Sequence, residues 1–208
     1  MNFAADALTP AQRYKLLVAL VVPRPIAWIS TLGPTDVVNL APFSFFNVFC
    51  ETPPLVMVGI NRKPDGRTKD TITNIERTGE WVVNIADEPL AETMHQTSGD
   101  FPPETSEPEV TGLAMAPSVQ VKPPRVQESP FSLECRTWKH IEVSEDRRLV
   151  IGEGVHLHVR DDLFDAERFR IHADRFLPIG RMFGDRYVRT RDRVQFPPAK
   201  GSPTEKGR

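Results

Sequence analysis

The densest run of potential chemistry is Asn61-Arg62-Lys63-Pro64-Asp65-Gly66-Arg67-Thr68-Lys69-Asp70-Thr71. It places Arg62, Lys63, Arg67 and Lys69 within eight residues, against the single acid Asp65. Asp70 to Arg77 follows, with Ile72 and Ile75 three apart and Gly79 behind them, and predicts a short helix. A helix N-terminus carries partial positive charge, so cations gathered there repel it unless an anion neutralises both. A phosphate meets that need by taking the cations and the free backbone N–H groups, with Thr68 and Thr71 adding hydroxyls. A solvated basic loop accounts for the charge equally well, and this run alone leaves both readings open.

A second stretch, Asn39-Leu40-Ala41-Pro42-Phe43-Ser44-Phe45-Phe46-Asn47, sets three aromatic rings beside two amides and a hydroxyl. A flat heteroaromatic ligand needs apolar contact on its faces and polar groups at its edge, which this composition offers. Taken singly, each phenylalanine is better read as core filling at a barrel-closing bend. The third candidate is His156-Leu157-His158, whose imidazoles share one face if the segment is a strand. Such a pair suits a metal, but no third histidine stands at a suitable spacing. We read it as the polar face of a strand edging a ligand cleft and expect no metal.

Other chemistries lack their signatures. There is no GxSxG elbow, no P-loop and no GxGxxG after a strand. Cys50 and Cys135 form no CxxC and no disulfide framework, and both read as apolar filler in a reducing compartment. The 26 basic and 28 acidic side chains leave a formal charge of −2, which gives no whole-chain attraction to nucleic acid or to an anionic membrane. The longest strongly apolar run, Leu16 to Val22, falls far short of the roughly 20 residues of a membrane span. With no basic start or cleavage site at the N-terminus, the expected location is the cytoplasm.

The elements that must position these groups read mainly as strands. Thr9-Pro10 opens a helix that ends before Pro23. Ile26 to Leu32 and Val37 to Leu40 form a hairpin around Gly33-Pro34-Thr35-Asp36, and Leu55 to Ile60 is a buried strand. Trp81 to Ile85 is a strand with Trp81, Val83 and Ile85 on one face, and Pro89 to Gln96 a short helix. Gly99 to Pro124 shows no period, and a loop of that length is functional or mobile in most compact domains. Phe131 to Val143 and Leu149 to Val159 alternate apolar and polar residues, which puts one set inward and the other outward. The short turn Ser144-Glu145-Asp146 between them makes the pair antiparallel. The expected fold class is mainly β, an antiparallel barrel with short helices, in one domain over residues 1–190. Residues 191–208 are expected to form a flexible tail.

At this point the chain resembles a known family. Val22 to Thr31, Asn39 to Asn47, Pro53 to Val56, Lys69-Asp70-Thr71 with Asn74-Ile75, Glu80 to Asn84, Leu149 to His158 and Gly180 to Tyr187 together resemble the flavin reductase-like, flavoredoxin-type FMN-binding split barrels. The resemblance runs over roughly residues 10–190, and no single motif carries it. Where the family usually has a Gly-Gly pair, this chain has Met182-Phe183-Gly184. The resemblance implies FMN held without covalent attachment at a homodimer interface. It sets Ser30, Thr31 and the segment from Ala41 through Pro42, Phe43 and Ser44 to Asn47, with Asn39 beside it, along the flavin ring and ribityl chain. It sets Asn61, Arg62, Lys69, Asp70 and Thr71 near the phosphate.

The function expected is hydride or electron transfer through FMN, reduced by NADH or NADPH and passed to a small-molecule acceptor. The alternative is a non-enzymatic FMN-binding electron carrier serving a protein partner. The cofactor carries the redox chemistry, so no catalytic side chain is named. His156 and Arg181 are the substrate-side candidates. Neither nucleic acid nor membrane is expected as a partner.

Overall fold

The structure is a computed structural model that describes residues 1–197. Helix α1 (Pro10–Leu20) opens on a reciprocal cap: the Thr9 hydroxyl accepts from Gln12 N, and the Gln12 side chain accepts from Thr9 N. Strands β1 (Ala27–Leu32), β2 (Val38–Phe43), β3 (Phe46–Glu51) and β4 (Pro54–Asn61) follow. Helix α2 (Asp70–Thr78) comes next, stopped by Gly79 at φ 69°, and then β5 (Glu80–Asn84). Helices α3 (Ala91–Gln96) and α4 (Glu107–Thr111) and the short pair β6 (Met115–Ala116) and β7 (Arg125–Val126) lead to the long strands β8 (Phe131–Ser144) and β9 (Arg147–Val159). Two small hairpins follow: β10 (Phe164–Asp165) with β11 (Arg170–Ile171), and β12 (Ile179–Arg181) with β13 (Tyr187–Arg189).

Seven strands form one antiparallel sheet in the order β2-β1-β5-β8-β9-β4-β3. Its two edge strands, β2 and β3, are consecutive in the chain and joined by only Ser44 and Phe45. Two residues cannot cross a flat sheet of seven strands spaced about 4.8 Å apart. The sheet therefore curls until its edges nearly meet, giving the expected antiparallel barrel, and Ser44-Phe45 lies on the seam. One hydrophobic cluster fills the interior, including Ile29, Val58, Ile72, Trp81, Cys135 and Val150. A second, with Trp28, Leu40, Met94 and Ile179, covers the outside of β1 and β2 beneath α3. Cys135 is the apolar filler expected, and burial raises its thiol pKa; both cysteines are free.

Gly152 has a packing reason. A Cβ there would stand 2.2 Å from the Trp81 ring, which is wholly buried.

Three readings of the sequence are corrected. Trp81, Val83 and Ile85 do share the inner cluster, but strand β5 ends at Asn84 and its outer face is buried too, Val82 as fully as Trp81, because the chain at 124–126 packs there, Val126 N donating to Asn84 and Pro124 O accepting from Ser30. In β8, Ser132 and Glu134 are buried because the segment from 119 to 126 packs on their face, with Val119, Gln120 and Val121 donating to Glu134, while Val143 is exposed beyond the register shifts after Glu134 and Thr137. The stretch from 99 to 124 is largely ordered by carboxylates. Glu107 accepts from Leu40 N, and Glu134 accepts from the amides of Val119, Gln120 and Val121. Of the expected tail, residues 198–208 lie outside the described residues. Arg191 is tied to Glu88, and Arg193 to the carbonyls of Ala173 and Phe176. No helix among the described residues is long and apolar enough to cross a membrane.

Candidate functional site

The seam of the barrel opens into a trough. Three adjoining cavities of about 420, 440 and 310 Å³ share walls: Tyr14, Pro42, Phe43 and Ser44 border the first two, and Asn61, Arg62, Lys63 and Lys69 the last two. Strand β2 brings Asn39 and Ala41 to the same trough. The run of cations, the aromatic stretch and Arg181, far apart in sequence, thus meet along one groove.

The structure sorts the four cations. Lys63 is buried and sits 3.0 Å from Asp70 and 2.9 Å from Asp100. Burial pulls its ammonium pKa down, but the two carboxylates outweigh burial and the net shift is upward. Arg67 is exposed and pairs with Asp65. Arg62 turns one guanidinium nitrogen onto the Gly66 carbonyl. Lys69, half-buried and 5.9 Å from the centre of the Phe43 ring, has no carboxylate within ion-pair distance among the described residues. Burial, then the neighbouring Lys63, lowers its pKa. Arg147, at the start of β9, enters the same cavity with its guanidinium over the Phe45 ring. This end of the trough therefore holds Arg62, Lys69 and Arg147, beside the first turn of α2, where Ile72 N and Thr73 N donate to the Lys69 carbonyl and the amides of Asp70 and Thr71 lead the helix.

At the other end, Arg24 is a buried fastener. Its guanidinium donates to the carbonyls of Val18, Val21 and Met182 and to the Ser44 hydroxyl, joining α1, the seam and the C-terminal hairpin. Backbone hydrogen bonds in both directions between Arg24 and Arg181 then fix Arg181 at the cavity wall. The Arg181 guanidinium lies over the Tyr187 ring, and His95 Nδ1 is 2.9 Å from the Tyr187 hydroxyl. Gly184, at φ 62°, makes the tight turn between β12 and β13.

Several residues that the resemblance sets near the cofactor do not line the trough. Ser30 and Thr31 are wholly buried and line none of these cavities. The Ser30 hydroxyl donates to the Pro124 carbonyl, while Thr31 Oγ1 accepts from Asn39 and Asn74. Asn39 also donates to Thr71, so this buried network holds α2 against the β1–β2 hairpin. Thr71 reaches the trough wall, and Asp70 is there as the partner of Lys63. Asn47 lies on β3 in an apolar cleft with Met57 and Val143 that adjoins the trough through Phe45, Gly59 and Arg147, its side chain accepting from Val48 N. His156 is on β9 beside His158 and Glu134, outside the trough. Sequence reasoning missed Tyr14, His95, Arg147 and Tyr187. No local signal marks them, because only the curl of the sheet and the docking of the C-terminal hairpin bring them in.

Residues 19–179 match the flavin reductase like domain. A protein of Aquifex aeolicus is 41% identical over 189 residues, covering 91% of this chain and 95% of its own. The crystal structure of Pseudomonas fluorescens 2-nitrobenzoate 2-nitroreductase NbaA is similar at 36% identity and a TM-score of 0.89, covering 99% of this chain and 100% of that one. Nitrilotriacetate monooxygenase component B from Bacillus cereus is 32% identical with a TM-score of 0.87, covering 94% of this chain and 98% of that one. The split barrel is likewise shared with solved structures. On these matches and on the barrel itself, the chain belongs to the flavin reductase-like family.

Proposed function

We propose that the trough holds FMN and that the chain is an FMN-dependent oxidoreductase of the cytoplasm. NADH or NADPH reduces it, and a small-molecule acceptor such as free flavin or oxygen takes the electrons. The observation that carries this reading is Lys69, a half-buried ammonium without a carboxylate partner among the described residues, at one end of a groove walled by Pro42, Phe43 and Ser44. The donor set fits FMN, whose phosphate and flat ring need cations and apolar walls in that order. Arg62, Lys69, Arg147 and the first turn of α2 would hold the phosphate. Asn39, Ala41, Pro42, Phe43 and Ser44 would line the ribityl chain and ring. When bound, the flavin supplies hydride and single-electron chemistry.

The protein's part is to position and to shield. Arg24 and the Asn39–Thr71 network hold the walls, and Arg181, His95 and Tyr187 border the substrate side. The sequence carries no dinucleotide-binding fingerprint, so the nicotinamide binds transiently at this open side and stacks on the flavin. Positioning then contributes most of the acceleration. Similarity to a nitroreductase and to a monooxygenase component supports the oxidoreductase role.

The flavin lies at the interface of a homodimer in this reading. Val48 and Phe49 on β3 are 69% and 58% exposed, and Val143 on β8 is 60% exposed. Such an apolar surface supports a self-complementary two-fold contact.

Anaerobic stopped-flow mixing tests the enzyme reading by following the bleaching of the flavin band. Bound FMN is expected to bleach far faster with one nicotinamide nucleotide than FMN free in buffer. If neither nucleotide does so, an electron carrier serving a protein partner replaces this reading.

A further inference from the structure

The fold supplies what the His156-Leu157-His158 motif lacks. Register on the β8–β9 hairpin sets Glu134 directly across from His156, with His158 two pairs further along, opposite Ser132. All three side chains share a face. One ligand atom from each lies within 4.8 Å of the other two, Glu134 Oε1 is 2.6 Å from His158 Nε2, and the imidazole rings are 4.7 Å apart. The Glu134 side chain is 0% exposed, and three successive amides, Val119, Gln120 and Val121, hold its carboxylate in place. His158 keeps a solvent-facing edge, and the His156 ring makes no hydrogen bond among the described residues. None of the three lines the flavin trough.

We propose that Glu134, His156 and His158 bind a divalent transition-metal ion of the zinc type. Two imidazoles and one carboxylate make a donor set that suits Zn²⁺, Co²⁺ or Ni²⁺ and disfavours Mg²⁺ or Ca²⁺. Metal–ligand bonds of about 2.0–2.2 Å require the three ligand atoms to stand closer than their widest present separation. Rotation of the unbonded His156 ring supplies that motion, while the Glu134–His158 hydrogen bond opens to admit the ion. The buried carboxylate, preset by the amides, is the anchor. The ion fastens β8, β9 and, through Glu134, the segment from 119 to 121. Its role is structural, because the site stands apart from the redox groove.

The test uses the full chain, treated with chelator and desalted. ZnCl₂ is titrated against a chromophoric competitor, and thermal unfolding is followed with and without the ion. One tight equivalent is expected, with a higher unfolding midpoint in zinc, as an ion binding only the folded state requires. His156→Ala and His158→Ala should each weaken zinc at least about tenfold and lose the zinc-induced rise, since each removes a ligand. His156→Ala deletes a ring without hydrogen bonds, so its zinc-free midpoint should match that of the parent, which separates lost ligation from lost folding. A parent that takes up no tight equivalent, or one that binds zinc no better than His156→Ala, overturns the proposal.

Discussion

The Lys63 ammonium lies 3.0 Å from a carboxylate oxygen of Asp70, a pairing that takes the most buried cation of the basic run away from any ligand. With Lys63 committed to Asp70 and Asp100, and Arg67 to Asp65, Lys69 faces the trough without a counter-ion among the described residues.

Lys69→Ala should therefore weaken FMN more than riboflavin, which lacks the phosphate. A charge-assisted contact contributes about 1.5–3 kcal/mol, so a loss of roughly tenfold or more is expected for FMN alone. Fluorescence titration of both ligands measures this. Equal losses would place Lys69 away from the phosphate.

Gly152→Ala should destabilise the fold strongly. The added Cβ would meet the wholly buried Trp81 ring at 2.2 Å inside the filled barrel. Overpacking of this kind costs typically about 1–3 kcal/mol, and the close approach argues for the upper end. Urea unfolding reads the value. A variant as stable as the parent would mean that the Trp81 ring is free to shift.

Glu107 makes stability pH-dependent. Burial raises its pKa, only partly opposed by the hydrogen bond from Leu40 N. A carboxyl with a raised folded pKa holds its proton more firmly in the folded chain than in the unfolded one. Its contribution to stability is therefore unimpaired below the ordinary value of about 4.3 and falls as pH rises through the raised one. Glutamine keeps an acceptor for Leu40 N and cannot ionise. Glu107→Gln should match the parent near about pH 4 and exceed it near about pH 8 in denaturant titrations. A gap that stays constant with pH would remove Glu107 as the source.

Charging the exposed β3 edge should separate the subunits. Val48→Asp with Phe49→Asp places two carboxylates on the surface proposed to meet a second copy. Sedimentation at micromolar concentration should show a dimer for the parent and a monomer for the variant. A parent that sediments as a monomer with FMN bound would end the dimer reading.

The sequence by itself determined the elements. The Thr9 cap, the Gly79 stop and the turns at Gly33 to Asp36 and Ser144 to Asp146 are local hydrogen-bonding and backbone preferences, and each boundary follows within a few residues. It also brought the basic run and the aromatic stretch into view, because charge density and ring content are visible without a fold. Tertiary structure decided how those residues are used. Whether a lysine is paired depends on acids that arrive from elsewhere, as Asp100 does for Lys63. Whether a hydroxyl faces a ligand depends on what covers it, and Ser30 and Thr31 are covered. Arg147, His95 and Tyr187 reach the trough only because a seven-stranded sheet curls and a distant hairpin docks at its seam. Glu134 joins His156 and His158 only through strand register, which alternation alone could not foresee once register shifts interrupt it.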